Sequence, residues 1–260
     1  MPEAFLIDLD GVMYVGDTPV PGARDAVKFL EDQGHPFRFV SNTTRKSRHT
    51  VAGRLRSMGF SIPEEHIFTP AAAAVSYLSE NRRKSAFLLT TDEVAREIVA
   101  ASGIVHHPAT AETVVIGDAG DRFTYESLNE AFRLLLEGAE LVALERDRYW
   151  MGTDGMMLSA GPFVAALEYA GGKEALVMGK PSPAFFLRAL ASMGAEPGTA
   201  AMIGDDVVTD IGGAMSCGLS GILVKTGKFR EETLARASHP PSAVLPSLAD
   251  LPAYLRSLRL

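Results

Sequence analysis

Phe5-Leu6-Ile7-Asp8-Leu9-Asp10-Gly11-Val12 is the stretch that decides how the rest of the chain reads. An apolar run that ends on an acid and an Asp-Gly pair reads as a buried parallel strand, Ala4 to Asp8, and open α/β sheets place their chemistry at such carboxyl ends. Asp8 and Asp10, one residue apart, would face opposite ways on a regular strand, but at a frayed end Asp10 can turn back toward the same pocket. Working outward, Lys180 in Gly179-Lys180-Pro181 and Asp205 in Ile203-Gly204-Asp205-Asp206 also follow short apolar runs. The expectation is one site built from strand ends that are far apart in sequence.

Three carboxylates and a lysine suit phosphoryl transfer. An aspartate can attack phosphorus and form an acyl-phosphate, which splits one hard step into two easier ones. A second acid can carry a proton to the leaving group and then take one from water. A dianionic phosphate beside several carboxylates would be repelled without a cation, so hard oxygen ligands here imply Mg²⁺. Taken singly, each motif also reads as ordinary structure: Asp10-Gly11 as a turn, Gly204-Asp205 and Ser41-Asn42 as helix caps, Lys180 as a surface residue before a helix start. Their joint occurrence, in this order after four strands, favours the site.

The order of motifs resembles the haloacid dehalogenase superfamily: an Asp-x-Asp-Gly strand end, a strand ending in Ser or Thr (Phe39-Val40-Ser41-Asn42), a lysine, and Gly204-Asp205-Asp206 followed by Asp210. Ser41-Asn42-Thr43-Thr44, Gly179-Lys180-Pro181 and Leu223-Val224-Lys225-Thr226-Gly227-Lys228 look like the subgroup with a large α/β cap between the second and third motifs. The resemblance spans nearly the whole chain. It implies that Asp8 is the nucleophile and a Mg²⁺ ligand, and that Asp10 is the acid/base and binds the metal through its backbone carbonyl. Asp205 completes the protein's share of the metal shell. It also implies that Ser41 and Lys180 hold the phosphoryl oxygens with the backbone amides of Leu9 and Asn42, and that Asp206 and Asp210 orient Lys180 and metal-bound water. A small phosphorylated substrate and a homodimer are the partners it carries.

The remaining chain alternates strand and helix without internal repeats. The expected fold class is α/β: a Rossmann-like doubly wound parallel sheet core, residues 1–82 and 175–260, with an inserted α/β cap domain, residues 83–174. Core strands are expected at Ala4–Asp8, Pro36–Val40, Ala175–Met178, Ala200–Ile203 and Gly221–Val224. Core helices are expected from Pro21 through Leu30, at Ser47–Met58, Pro70–Glu80, Pro183–Met193 and Asp210–Cys217, and His239–Ser247 reads as loop before a short last helix. In the cap, strands are expected at Ala86–Leu89, Thr113–Ile116 and Leu141–Leu144, and helices at Glu93–Ala101, Tyr125–Leu136 and Pro162–Tyr169. Hinges are expected near Arg82-Arg83-Lys84 and Gly171-Gly172-Lys173. Within the cap, Gly152 to Leu158 reads either as a substrate-facing loop or as a turn that packs Met156 and Met157 into the cap.

Composition sets the outer limits. The 260 residues are 47% hydrophobic, enough for a substantial core. The formal charge of −7 argues against non-specific nucleic-acid binding. No apolar run approaches the roughly 20 residues of a membrane span, and the start Met1-Pro2-Glu3-Ala4 shows no leader pattern. A cytoplasmic protein without a membrane partner is therefore expected. The single cysteine, Cys217, reads as a packed thiol, and His106-His107 as exposed loop without ligand-like spacing. Three classes compete: a phosphatase or phosphotransferase, a phosphate-accepting receiver domain, and a non-catalytic phosphate binder. Receiver domains are about half this length and lack an inserted cap, and the filled motif positions favour turnover.

Overall fold

The computed structural model describes residues 2–107, 109–152 and 154–258. It divides into two compact units: residues 1–41, 51–68 and 180–260 in the first, residues 42–50 and 69–179 in the second.

In chain order the first stretch comprises β1 (Ala4–Asp8), the small hairpin of β2 (Tyr14–Val15) and β3 (Thr18–Pro19), α1 (Ala23–Asp32), β4 (Phe37–Val40), α2 (Arg48–Ser57) and β5 (Ile67–Phe68). Next come α3 (Pro70–Glu80), β6 (Ser85–Leu89), α4 (Asp92–Ser102), β7 (Val105–His106), β8 (Thr113–Ile116), α5 (Tyr125–Leu136), β9 (Glu140–Ala143), β10 (Tyr149–Gly152), β11 (Gly155–Leu158), α6 (Gly161–Gly171) and β12 (Leu176–Val177). The chain closes with α7 (Pro183–Ala191), β13 (Ala200–Gly204), a wide π-helical turn over Val207–Gly212, α8 (Gly213–Ser216), β14 (Ser220–Val224), α9 (Glu231–Ala235), β15 (Ala243–Leu245) and α10 (Leu251–Ser257).

In the first unit six parallel strands lie in the order β15-β14-β13-β1-β4-β5. Every residue of β1 and β13 is buried, as a strand covered on both faces requires, which is why these strands read as unbroken apolar runs. The order runs outward from β1 in both directions, so the reversal falls between β1 and β13, where such sheets open a crevice. Register aligns their ends: Ile7 lies opposite Ile203, and Asp8 opposite Val40. α1 faces the core through Ala23, Ala26, Val27 and Leu30, a helical stripe at i, i+3, i+4, i+7.

The second unit has its own parallel sheet, β12-β9-β8-β6-β7, and the separate antiparallel hairpin β10-β11. Its helices begin with local signals. Thr69 accepts from the Ala72 N–H ahead of Pro70 in α3, and Thr124 and Ser127 form a reciprocal cap on α5.

The expected α/β class with a doubly wound parallel sheet is found, and several elements depart from expectation. Leu176–Val177 does not rebuild the first sheet. It pairs with Val142 and Ala143 of β9 and extends the second, because an apolar run does not state which neighbour completes its ladder. Residues 82–84 and 171–173 fall inside the second unit rather than at its boundaries. β5 was not anticipated, and Ala243–Leu245, read as loop, is an edge strand on β14. Asp210–Cys217 is not one helix: the Ile211 N–H reaches back five residues to the Asp206 carbonyl. His106 lies on an edge strand, where its Nδ1 accepts from the Leu88 N–H.

Candidate active site

Asp8 ends β1 in a buried position. Lys180, also buried, brings its Nζ to 2.5 Å from Asp8 Oδ1 and 2.6 Å from Asp210 Oδ1. The π-helical turn makes the second contact. Asp206 caps it, its Oδ1 accepting the Val208 and Thr209 N–H groups at 2.9 Å, and Asp210 Oδ2 accepts the Asp206 N–H in return. Asp206 and Asp210, which compete on paper for one task, thus have different contacts: Asp210 meets Lys180, and Asp206 shapes the turn that carries Asp210.

Asp205 follows β13. Its Oδ2 accepts the Lys228 N–H at 2.6 Å, whereas its Oδ1 is buried without a hydrogen-bond partner among the described residues. Two glycines allow this placement. A Cβ on Gly11 or on Gly227 would run into the Asp205 carboxylate, and both have left-handed backbones, φ +92° and +58°. Thr226 donates its hydroxyl to the Gly11 carbonyl and ties the two glycine turns together.

Asp8, Asp205 and Asp210 each offer a carboxylate oxygen, and these oxygens lie within 4.8 Å of one another. Two of these buried acids, Asp8 and Asp210, face the Lys180 ammonium, and the Lys228 ammonium adds a second positive charge near Asp205. Burial raises the Asp8 carboxyl even against the lowering pull of Lys180, and burial likewise raises Asp205 and Asp210 to about 6. Burial alone would lower the Lys180 ammonium, yet Asp210 and Asp8 hold it above its ordinary range. The excess negative charge and the orphaned Asp205 oxygen fit a hard divalent cation, whose ligands are oxygens.

The other candidates are placed as follows. Asp10 is exposed beyond the strand end, bridged through its backbone to Tyr14. Leu9 is buried, and its carbonyl accepts the Met13 N–H at 2.9 Å in the turn that follows β1. Ser41, half-buried, directly follows β4, the neighbour of β1, and donates its N–H to the Phe68 carbonyl. Asn42, also half-buried, belongs to the second unit. Sequence reading did not single out Gly11, Thr226, Gly227 or Lys228 as site residues, although a Gly-Lys pair after an apolar run was a usable signal.

In the second unit Met156 and Met157 are exposed on the β10-β11 hairpin beside Tyr149, Met151 and Leu158. They are not packed into a core; Thr153 lies outside the described residues. Cys217, half-buried, donates its thiol to the Gly213 carbonyl at 3.3 Å, and burial pushes the thiol's pKa up. No helix among the described residues is long and apolar enough to cross a membrane.

Comparison with known proteins returns one family. Residues 5–105 match a family model described as haloacid dehalogenase-like hydrolase, and residues 177–251 match one described as HAD-hydrolase-like. The chain is 45% identical over 239 residues to the human haloacid dehalogenase-like hydrolase domain-containing protein 2, covering 92% of this chain and 90% of that protein. It is 42% identical over 231 residues to the human phospholysine phosphohistidine inorganic pyrophosphate phosphatase, covering 86% and 83%. Among solved structures, the p-nitrophenyl phosphatase from Archaeoglobus fulgidus superposes with a TM-score of 0.89 at 28% identity, covering 97% and 99%.

Proposed function

The chain belongs to the haloacid dehalogenase-like hydrolases, and from that premise we propose that it is a Mg²⁺-dependent phosphatase acting through an aspartyl-phosphate on a small phosphorylated substrate. The observation that carries the proposal is the buried group Asp8–Lys180–Asp210 beside the unpartnered Asp205 oxygen.

In the first step an Asp8 carboxylate oxygen attacks phosphorus, the bond from phosphorus to the leaving oxygen breaks, and Asp10 gives that oxygen its proton. In the second step Asp10 takes a proton from water, the water oxygen bonds to phosphorus, and Asp8 leaves as a carboxylate. Lys180, held charged by its two acids, and Ser41 bind the phosphoryl oxygens with the amides of Leu9 and Asn42. Asp210 keeps Lys180 in register, and Asp206 shapes the turn that presents Asp210. The exposure of Asp10, unlike Asp8, suits a group that exchanges protons with solvent between steps. Asp8, Asp205 and the Asp10 carbonyl would hold Mg²⁺, which supplies positive charge to offset the phosphate and the acids around it.

Substrate class follows the named relatives: pyrophosphate, phospho-amino acids and simple phosphomonoesters form the panel to test. Selectivity for the leaving group is assigned to the inserted second unit, and the apolar hairpin at 149–158 is the segment to vary first. A homodimer belongs to the same reading and is read directly by light scattering. Phosphate release from the panel, with and without Mg²⁺, tests the activity. Release that does not depend on a divalent cation would refute the metal assignment.

Two further results are expected. Mg²⁺ at about 100 times its Kd should stabilise the protein by about 2.7 kcal/mol, a rise in Tm of roughly 5–10 °C, and Asp205→Asn should abolish most of that rise. The gain should be larger at pH 8 than at pH 5. The raised Asp205 and Asp210 carboxyls favour the metal-free fold below the ordinary carboxyl pKa, and that contribution is lost as pH rises through about 6. Above that pH the ionised acids are also the form that binds metal. Thermal melts at the two pH values check both statements. Asp10→Asn should lower kcat by about 10²–10⁴-fold while the Mg²⁺ shift persists, since its metal contact is a backbone carbonyl; a lost shift would assign its side chain to the metal instead.

A further inference from the structure

The segment immediately after Ser41 is bonded with unusual density to one face of α4. Glu93 Oε2 accepts the Thr50 hydroxyl at 2.6 Å, the Ser47 N–H at 3.1 Å and the Ser47 hydroxyl at 3.2 Å, and Lys46 Nζ lies 3.2 Å from its Oε1. One turn further along α4, Glu97 accepts the Arg48 N–H at 2.9 Å and the Arg48 side chain at 2.5 Å. Just before α4, the Thr91 hydroxyl donates to the Arg45 carbonyl at 3.0 Å.

These contacts supplement the Ser47 side-chain cap of α2. Its first turn contains no acid, although the N–H groups that open a helix have no partners within it and its N-terminus carries partial positive charge. Ser47 satisfies the Thr50 N–H, and the two glutamates of α4 take the N–H groups of Ser47 and Arg48. Burial alone would raise the Glu93 carboxyl, yet its bonds from Thr50, Ser47 and Lys46 hold it at about 2. Glu93 is thus ionised throughout the working range. The pair also explains why residues 42–50 group with the second unit although residues 1–41 and 51–68 flank them in sequence.

We propose that Glu93, supported by Glu97, is a positioning residue for the phosphate-binding loop: by fixing Lys46 to Thr50 on α4 it sets the backbone that presents Asn42. The proposal rests on the reading of Ser41 and Asn42 as phosphate ligands. Three residues separate Asn42 from Lys46, so a shift of the anchored end passes into the amide with little slack, and displacement of a binding group by about 1 Å can cost up to about 10²-fold in rate. Glu93 itself touches no phosphate in this scheme.

The test measures binding of inorganic phosphate by calorimetry in the presence of Mg²⁺, together with KM and kcat for p-nitrophenyl phosphate and Tm, on wild type, Glu93→Ala, Glu93→Gln and Thr50→Val. Glu93→Ala should weaken phosphate binding and raise KM by about 10-fold or more. Glu93→Gln, which keeps an acceptor in place, should lie between it and wild type. Thr50→Val removes an exposed hydroxyl that donates to Glu93 and accepts from Ser47, and should weaken phosphate binding about 3-fold even if Glu93→Ala does not fold. Variants that lower Tm yet bind phosphate as the wild type does would reduce Glu93 to a structural residue and overturn this inference alone. A wild type that neither binds phosphate nor turns over the ester would overturn the proposed function, and this inference with it.

Discussion

Asp8→Asn should lower kcat by about 10⁴-fold or more on every substrate of the panel and leave Tm within a few degrees of wild type. The two halves of that expectation have separate physical grounds. An amide cannot attack phosphorus as a carboxylate does, so the covalent route is closed whatever the leaving group. The fold survives because Lys180 keeps Asp210 at 2.6 Å as its counter-charge, and because Asn removes a carboxyl whose charged form is already disfavoured by burial. Turnover by phosphate release and stability by thermal melt check the two parts. Appreciable residual turnover would place the nucleophile elsewhere.

Lys180→Met carries the largest expected effect on stability. It leaves Asp8 and Asp210, both buried, without the ammonium that sits between them. Removing one partner of a buried ion pair costs about 3–5 kcal/mol, because an uncompensated charge remains. Both acids should then take up protons well above their ordinary pKa, and the variant should recover stability as pH falls. Asp210→Asn in the same background should restore part of the loss, since it deletes one of the stranded charges. Denaturation curves measure these terms. Vanadate or phosphate binding, measured alongside, should be lost, and an unchanged affinity would confine Lys180 to a structural role.

Much of this was legible in the residues. β1 and the position of Asp8 follow from an unbroken apolar run ending in an acid, because a strand buried on both faces has no other place for a charge. Thr113–Ile116, Pro70–Glu80 and Tyr125–Leu136 were read with the bounds observed, since β-branched residues, a Thr-Pro start and an amphipathic stripe act locally. What escaped the reading depends on partners far along the chain. Leu176–Val177 reads as a strand, but only tertiary pairing with β9 assigns it to the second sheet. β15 is three residues long with Val244 partly exposed, too short to show a period.

The site divides in the same way. Asp8, Lys180 and Asp205 could be grouped because each ends an apolar run. Asp206 and Asp210 could not be told apart, because the π-helical turn that sends Asp210 to Lys180 has no signature in four residues of sequence. Gly11 and Gly227 look like ordinary turn residues until the Asp205 carboxylate is seen to fill the space beside them. Glu93 and Glu97 look like solvated helix charges, and only the Ser47 and Arg48 N–H groups at the start of α2 give them partners.

In the proposed reaction Asp8 carries the phosphoryl group during turnover. The most direct measurement is an acid quench of enzyme mixed with Mg²⁺ and p-nitrophenyl phosphate, followed by borohydride reduction and peptide mass spectrometry. An acyl-phosphate on Asp8 would be reduced to homoserine, and that product at position 8, absent without substrate, is the expected result. Rapid turnover with reduction at Asp10, Asp205 or no residue at all would contradict the covalent assignment.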